Sequence, residues 1–267
     1  MNSSEARLYS ERRGIQQASI DYYMPDFGIN ADDKVLDIGC GTGDLVYEIG
    51  KRAYSVIGID ISNDMIDVAR QTHQRANIMY EVADAENFIE HFPTWKVTFD
   101  KVVSVHALHW VQDKVGAIRN IYDCLKLGGE CFILLNGPIH QMLGNGPDEL
   151  PYYLKNHAKW KKHLEGYVHK MYNHLNLDDT LKLFESVGLE VLEGKSYKPC
   201  ENIDIFSKEE LNEYLRTLLG HLRYLPQQYH TEFLQDATDW CHQNFPVNHR
   251  GHRHINMEVI VVHAIKK

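Results

Sequence analysis

The sequence predicts an α/β domain built on a parallel sheet, and three observations carry that expectation. Short apolar runs bounded by Gly, Asp or Asn alternate with segments of helical spacing through the first half of the chain. A glycine-rich turn joins the first apolar run to the first helical segment. Acids stand at the carboxyl ends of the second and third runs, the edge at which open α/β sheets bind ligands.

The elements follow in order. Val35–Ile38, Ser55–Ile59, Ile78–Val82, Phe99–Ser104 and Cys131–Leu135 read as strands. Ser62 to Arg75 reads as a helix with Met65, Ile66, Val68 and Ala69 inward; Ser62 suits the N-cap and Asp64 the positive helix start. Lys114 to Leu127 reads as a second helix, with Val115, Ile118, Ile121, Tyr122 and Leu125 on one face. Gly128-Gly129 is its expected stop. Gly137 to Pro151 reads as a long loop, and Tyr152 to Tyr172 as an aromatic helix carrying Trp160, His163, Leu164, Tyr167 and Met171. Asp178 to Val187 is an expected helix and Leu189–Lys198 a strand. Ser207-Lys208-Glu209-Glu210 forms a capping box ahead of Leu211, Leu215, Leu218, Leu219 and Leu222. A helix near Pro226 places Tyr229, Phe233, Ala237 and Trp240 on one face, and β-branched content makes Ile255–Ile265 the last strand. No repeat, linker or low-complexity tract interrupts the chain.

Composition narrows the function classes. The chain has 267 residues with 28 Lys and Arg against 37 Asp and Glu, a net charge of −9, which disfavours binding to a phosphate backbone. No apolar run approaches the ~20 residues of a membrane span. The opening MNSSEARLYSERRG is too polar for a secretory signal. The five cysteines are odd in number, widely spaced and without a C-x-x-C pair, so they read as reduced residues of a cytoplasmic protein. His249, His252 and His254 lie beside Arg250 and Arg253 with no carboxylate next to them, and read as a solvated loop. No metal is expected.

The most informative stretch is Val35-Leu36-Asp37-Ile38-Gly39-Cys40-Gly41-Thr42-Gly43-Asp44-Leu45. Its glycines let the backbone approach a ligand. A dinucleotide fingerprint would require a third glycine where Asp44 stands, and a carboxylate there is electrostatically wrong for a pyrophosphate. A nucleoside without phosphates and with positive charge, such as a sulfonium, fits better. Asp60 ends the second strand 23 residues after Asp37, where a carboxylate can accept both ribose hydroxyls. Asp84 follows the third strand and can accept from an adenine amino group. After the fourth strand, Ser104-Val105-His106-Ala107-Leu108-His109-Trp110 points an imidazole, an indole N–H and an apolar wall into the same crevice.

This order of glycine turn, Asp60 and Asp84 resembles the class I S-adenosylmethionine-dependent methyltransferases over residues 35–135. The resemblance implies a Rossmann-like fold: a seven-stranded, mostly parallel sheet with an antiparallel last strand and helical lid insertions. It implies that Asp37, Gly39 and Gly41 surround the methionine part of S-adenosylmethionine. Asp60, followed by Ile61, takes the ribose; Asp84 with Ala85 takes the adenine; Ser104–His106 lie beneath the cofactor. One domain is expected over 1–267: an N-terminal helical cap (1–34), a cofactor core (35–136) and lid insertions at 137–177 and 205–250.

With Leu8-Tyr9, Ile15-Gln16-Gln17, Lys159-Trp160 and His163-Leu164-Glu165, the chain also looks like the juvenile hormone acid methyltransferase family of arthropods. That family binds the substrate carboxylate with an N-terminal glutamine and the tryptophan after Leu-His, which map to Gln16 and Trp110. The turn has the general class I form, which also occurs in aconitate methyltransferases with the same Leu-His-Trp. The expected product is the methyl ester of a small lipophilic acid. The alternative is O- or N-methylation of another small molecule, such as an aconitate-like acid. A carboxylic acid is already ionised at neutral pH and needs no base; in-line placement is what the site must supply. His109 then orients substrate, and would serve as base only for a hydroxyl acceptor. Leu143, Leu154, Trp160, Tyr167, Leu218, Leu222, Tyr224 and Leu225 are expected to wall an apolar tunnel. No nucleic acid and no membrane span are expected as partners, with a homodimer allowed.

Overall fold

A computed structural model gives the fold and describes residues 7, 20, 22–24, 27–144, 146–168, 175–197, 207–247, 253–255 and 257–267. Seven strands form one sheet in the order β3-β2-β1-β4-β5-β7-β6. They are β1 (Lys34–Ile38), β2 (Ser55–Asp60), β3 (Ile78–Val82), β4 (Phe99–Val105), β5 (Leu125–His140), β6 (Leu189–Tyr197) and β7 (Met257–Lys266). β1 to β5 pair in parallel, and β7 runs antiparallel to both of its neighbours, β5 and β6. The strand order reverses between β1 and β4, which opens a crevice at their carboxyl ends.

Period-two alternation splits the core across the sheet. Phe132 and Leu134 of β5 join Val259 and Val261 of β7 on one face, while Cys131, Ile133 and Leu135 join Ile260 and Val262 on the other. Both faces are covered, so the central strands are apolar throughout. The covering helices of the core are α1 (Asp44–Gly50), α2 (Asn63–Thr72), α3 (Phe88–His91) and α4 (Lys114–Cys124). As expected, Ser62 caps α2, its hydroxyl accepting from the Met65 N–H, and Asp64 lies in the first turn.

The structure corrects the end of α4. The helix stops at Cys124, and Leu125 is already extended and paired with Phe99. The next pair is Lys101 with Glu130, so β5 advances five residues while β4 advances two. Gly128, at φ +75°, sits in that excursion. The glycine pair therefore serves a strand irregularity and not a helix stop. Val115 faces solvent; the buried face of α4 is Ala117, Ile118, Asn120, Ile121 and Cys124.

The lid also differs from expectation. β5 continues to His140, five residues beyond its expected end. The Gly- and Pro-rich stretch then leads into a short helix, α5 (Leu150–Asn156), with Pro151 in its first turn, where the missing N–H costs nothing. Turns follow α5 in place of the long helix expected to Tyr172, and residues 169–174 lie outside the described set. α6 (Leu177–Ser186) precedes β6, and α7 (Lys208–Leu218) and α8 (His230–Asn244) complete the lid. Trp160 is buried, donating its indole N–H to Asp236 at 3.0 Å and meeting Phe233 edge-on. Leu154, Tyr167 and Leu225 are buried with it, and Tyr224 is exposed. These residues hold the lid together and do not wall a tunnel.

His254 is buried at 4%, against the expectation of a solvated loop; His249 and His252 lie outside the described residues. Most of the expected N-terminal cap lies outside them too, but Phe27 packs on Phe132 and on His263, each at 5.5 Å. Cys40, Cys124, Cys131 and Cys241 are free and buried. Among the described residues no helix is long and apolar enough to cross a membrane, and no cluster of three or more His, Cys, Asp or Glu is placed to hold a metal.

Candidate active site

A cavity of about 560 Å³ opens at the carboxyl ends of β1 to β4, beneath the end of α7. That volume lies in the range of small-molecule and cofactor sites. Gly39, Gly41, Asp60 and Ile61 line it together with Asp84, Ala85, His106 and Trp110. Asp37 and His109 stand behind the wall, and Gln16 lies outside the described residues.

Two contacts shape the glycine turn. Gly39 has φ +76°, and a Cβ there would stand 2.1 Å from the Ala107 Cβ. At Gly43, φ is +86° and a Cβ would meet the Tyr80 hydroxyl at 2.5 Å. Both positions need glycine for the fold of the turn as well as for any ligand. Asp60 organises the turn from the next strand. One carboxylate oxygen accepts from the Gly41 N–H at 3.0 Å and the other from the Ser62 N–H at 2.9 Å. Each oxygen keeps a second lone-pair site, enough for two ribose hydroxyls. Burial raises the Asp60 carboxyl above the usual range, and these two N–H bonds act against that rise. Asp37 is only 2% exposed; burial, and then repulsion from Asp60, push it up to about 8. A buried acid in this condition is complementary to a cationic ligand.

Asp44 requires a correction. Its carboxylate does not line the cavity: it accepts from the Thr42 hydroxyl at 2.7 Å and lies 3.3 Å from His73 Nε2. His73 Nδ1 donates to the Thr42 carbonyl at 2.8 Å. Asp44 therefore braces the turn from behind, tying it to the end of α2.

The adenine-side loop is held by residues that the sequence motifs do not single out. Asp84 accepts from the Glu86 N–H at 3.0 Å, a local turn that the Asp84-x-Glu86 spacing could have signalled. Asn120, a polar side chain on the buried face of α4, donates to the Ala85 carbonyl at 3.0 Å. Glu86 in turn accepts from the Gln112 and Asp113 N–H groups at 2.8 and 3.0 Å.

His106 follows β4 directly, in the left-handed region at φ +53°, a strained conformation for a residue with a Cβ. Its Nδ1 lies 3.1 Å from the Asn136 amide, whose other end lies 3.3 Å from His109 Nε2. His109 Nδ1 accepts from the Asn136 backbone N–H at 3.3 Å. The Asn136 amide oxygen faces His106 Nδ1, and its NH₂ faces His109 Nε2. His106 Nδ1–H donates to that oxygen. Burial lowers His106 to about 4 and carries His109 well below the usual imidazole range. Both rings are neutral at pH 7. His109 lines only a second cavity of about 40 Å³, shared with His106, Trp110 and Asn136, so the structure places it behind the site and away from a substrate in the larger cavity. Trp110 borders both cavities, its ring 5.1 Å from that of His109.

A family model described as "Methyltransferase domain" matches residues 36–133, the segment that carries this turn and both acids. The chain is a class I methyltransferase that uses S-adenosylmethionine. The methyltransferase is 26% identical over 263 residues to juvenile hormone acid O-methyltransferase of Drosophila melanogaster, a match covering 88% of this chain and 82% of that one. The Bombyx mori protein of the same name is also 26% identical, covering 78% of this chain and 73% of its own. Among solved structures, phosphoethanolamine N-methyltransferase 2 of Haemonchus contortus in complex with S-adenosyl-L-methionine superposes with a TM-score of 0.61. It is 18% identical and covers 99% of this chain and 57% of its own, a likeness of fold.

Proposed function

We propose that this methyltransferase esterifies a small lipophilic carboxylic acid of the juvenile hormone acid or farnesoic acid type, in the cytosol, where its buried thiols stay reduced. The observation that carries the reading is that the imidazole of the cavity wall is held neutral and weakly basic. His106 is the imidazole at the cavity; its Nδ1 is tied to the Asn136 amide oxygen, and burial holds it near 4. A hydroxyl acceptor would need that base. A carboxylate does not. The insect relatives, both named juvenile hormone acid O-methyltransferases, point the same way.

Bound S-adenosylmethionine supplies an electrophilic methyl group on a sulfonium. Asp37, Gly39 and Gly41 hold its methionine part, Asp60 and Ile61 the ribose, and Asp84 with Ala85 the adenine. The indole of Trp110 and the amide of Gln16 hold the acceptor carboxylate as neutral donors, leaving an oxygen lone pair available. Leu218, Leu219 and Leu222 supply the apolar wall for the hydrocarbon chain. His106 and His109 set the position of Trp110 and move no proton.

The test is incubation with methyl-labelled cofactor and a panel of terpenoid, fatty and tricarboxylic acids beside phenols and amines, with identification of the product. Methyl esters of the lipophilic acids are expected. An O-methylated phenol or an N-methylated amine as main product would refute the acid reading. An aconitate ester would favour the second reading, which the Gly39-Cys40-Gly41-Thr42-Gly43 form of the turn supports. Trp110→Phe should cut turnover roughly ten- to hundredfold with cofactor affinity unchanged, since it removes one hydrogen bond to a charged group.

A further inference from the structure

The lid brings two guanidinium groups to the cavity that no motif announces. Arg216, in the last turn of α7, and Arg223, in the 3-10 turn Gly220–Tyr224 that follows, both line it. Arg216 is half-buried and Arg223 is exposed. Two lysines of the lid are paired. Lys208 meets Asp239 at 2.7 Å, and Lys159 meets Glu232 at 2.8 Å. Neither arginine has a carboxylate partner within 4.0 Å among the described residues, although acids outnumber bases in the chain by 37 to 28. The acids of the same cavity are engaged elsewhere: Asp60, Asp84 and Glu86 each accept from backbone N–H groups. Helix-dipole complementarity accounts for a cation at the end of α7. It does not account for Arg223, beyond the helix, turning to the same cavity.

We infer that Arg216 and Arg223 recognise the anionic group of the methyl acceptor and make the site selective for acids over their neutral esters. This rests on the acid-acceptor reading above. The chemistry supplies the logic. A carboxylate oxygen forms the new O–CH₃ bond, the S–CH₃ electron pair returns to sulfur, and no proton moves. The acceptor enters with one negative charge and leaves with none. An arginine pair at the mouth of the cavity draws the acid in and has no hold on the ester, so the reaction itself removes the attraction that would retain its product. The pair captures the acid, while the reacting oxygen stays with neutral donors.

The experiment compares wild type, Arg216→Gln, Arg223→Gln and the double variant, using farnesoic acid and its methyl ester as probes. Binding is measured by calorimetry with S-adenosylhomocysteine present, beside steady-state rates, cofactor affinity and melting temperature. Wild type should hold the acid at least about tenfold tighter than the ester, and each substitution should weaken acid binding roughly three- to thirtyfold, the span for a charge-assisted bond tempered by solvent. Ester and cofactor affinities and kcat at saturating acid should stay within about twofold, and added salt should weaken the acid alone. Equal losses for acid and ester would overturn the inference by showing a packing role. A weakened cofactor with unchanged acid would overturn it in favour of the methionine carboxylate. A wild type that binds the acid no better than the ester would also overturn it. If wild type binds the acid in an arginine-dependent way yet esterifies no acid of the panel, the acid-methylation reading fails and the inference is overturned with it, the pair being an anion site only; loss of arginine dependence with esterification intact overturns the inference alone.

Discussion

Asp37→Asn separates the cost of a buried acid in the empty site from its use when a cation is bound. Asp37 is 2% exposed and held at about 8 by burial and then by Asp60, whereas an unfolded chain keeps an aspartate near ~3.9. Between those values the folded protein binds one proton more than the unfolded chain. Stability therefore falls as pH rises, by about 1.4 kcal/mol per pH unit, and the loss stops once pH passes the folded value near 8. From pH 5 to 8 this amounts to ~4 kcal/mol at face value, and to ~2 kcal/mol if water reaches the ionised group. An asparagine neither gains nor loses a proton, so the variant lacks this slope and exceeds wild type in stability at pH 8 to 9.

Cofactor binding has the opposite dependence. A cationic ligand favours the ionised carboxylate, so S-adenosylmethionine should expel a proton from Asp37 below pH 8, and wild-type affinity should rise toward that pH. In the variant both the proton release and the rise disappear, and affinity is lower throughout. Denaturant melts at several pH values, with calorimetry in two buffers of different ionisation enthalpy, read both effects. Parallel stability curves for the two proteins between pH 5 and 9, together with binding that releases no proton in wild type, would refute the reasoning.

Asp60→Ala should weaken S-adenosylmethionine roughly ten- to hundredfold and also lower the melting temperature, because the Gly41 and Ser62 N–H groups lose their acceptor. Calorimetry and thermal melts on one sample measure both. Gly39→Ala should cost several kcal/mol through the Ala107 contact and the positive φ; adding Ala107→Gly should recover the contact and not the backbone strain, as denaturant unfolding would show. The pH–rate profile should carry no limb at pH 6–7 from His106 or His109, since burial places both below that window; a limb there that His106→Gln removes would contradict the neutral-ring assignment.

Local chemistry makes one wall of the cavity legible. The turn from Gly39 to Gly43, Asp60 at the end of β2 and Asp84 after β3 are each signalled within a few residues, and the topology brings them to one edge. What stays hidden depends on register and on contacts across the sheet. Asn136 reaches His109 only because β4 and β5 are neighbours, and nothing near residue 136 in the sequence indicates an imidazole partner 27 positions earlier. Asn120 serves Ala85 from another helix. Gly128-Gly129 misleads because a glycine pair suits a helix stop and a strand excursion equally well; the pairing of Leu125 with Phe99 decides between them. The position of Asp44 in the motif points to the site, but its side chain is claimed by Thr42 and His73. The lid is least legible. Its aromatic spacing is the same whether Trp160 faces a tunnel or packs against Phe233.

The same electrostatic rule connects the two halves of the site. Methyl transfer to an acid removes one positive charge from the cofactor and one negative charge from the acceptor. On the cofactor side burial raises the cost of ionising Asp37 and Asp60, and repulsion from Asp60 adds to it at Asp37, a penalty that a bound cation relieves. Arg216 and Arg223, assigned above by inference to the acceptor, carry charge that no described side chain pairs with. Each half is thus better matched to the charged reactant than to the neutral product formed there. The sulfonium and the carboxylate gain most before transfer, and the thioether and the ester have less to hold them afterwards. With an acid as acceptor, compensating charges placed around the cavity would let both attractions fade in the step that forms the product.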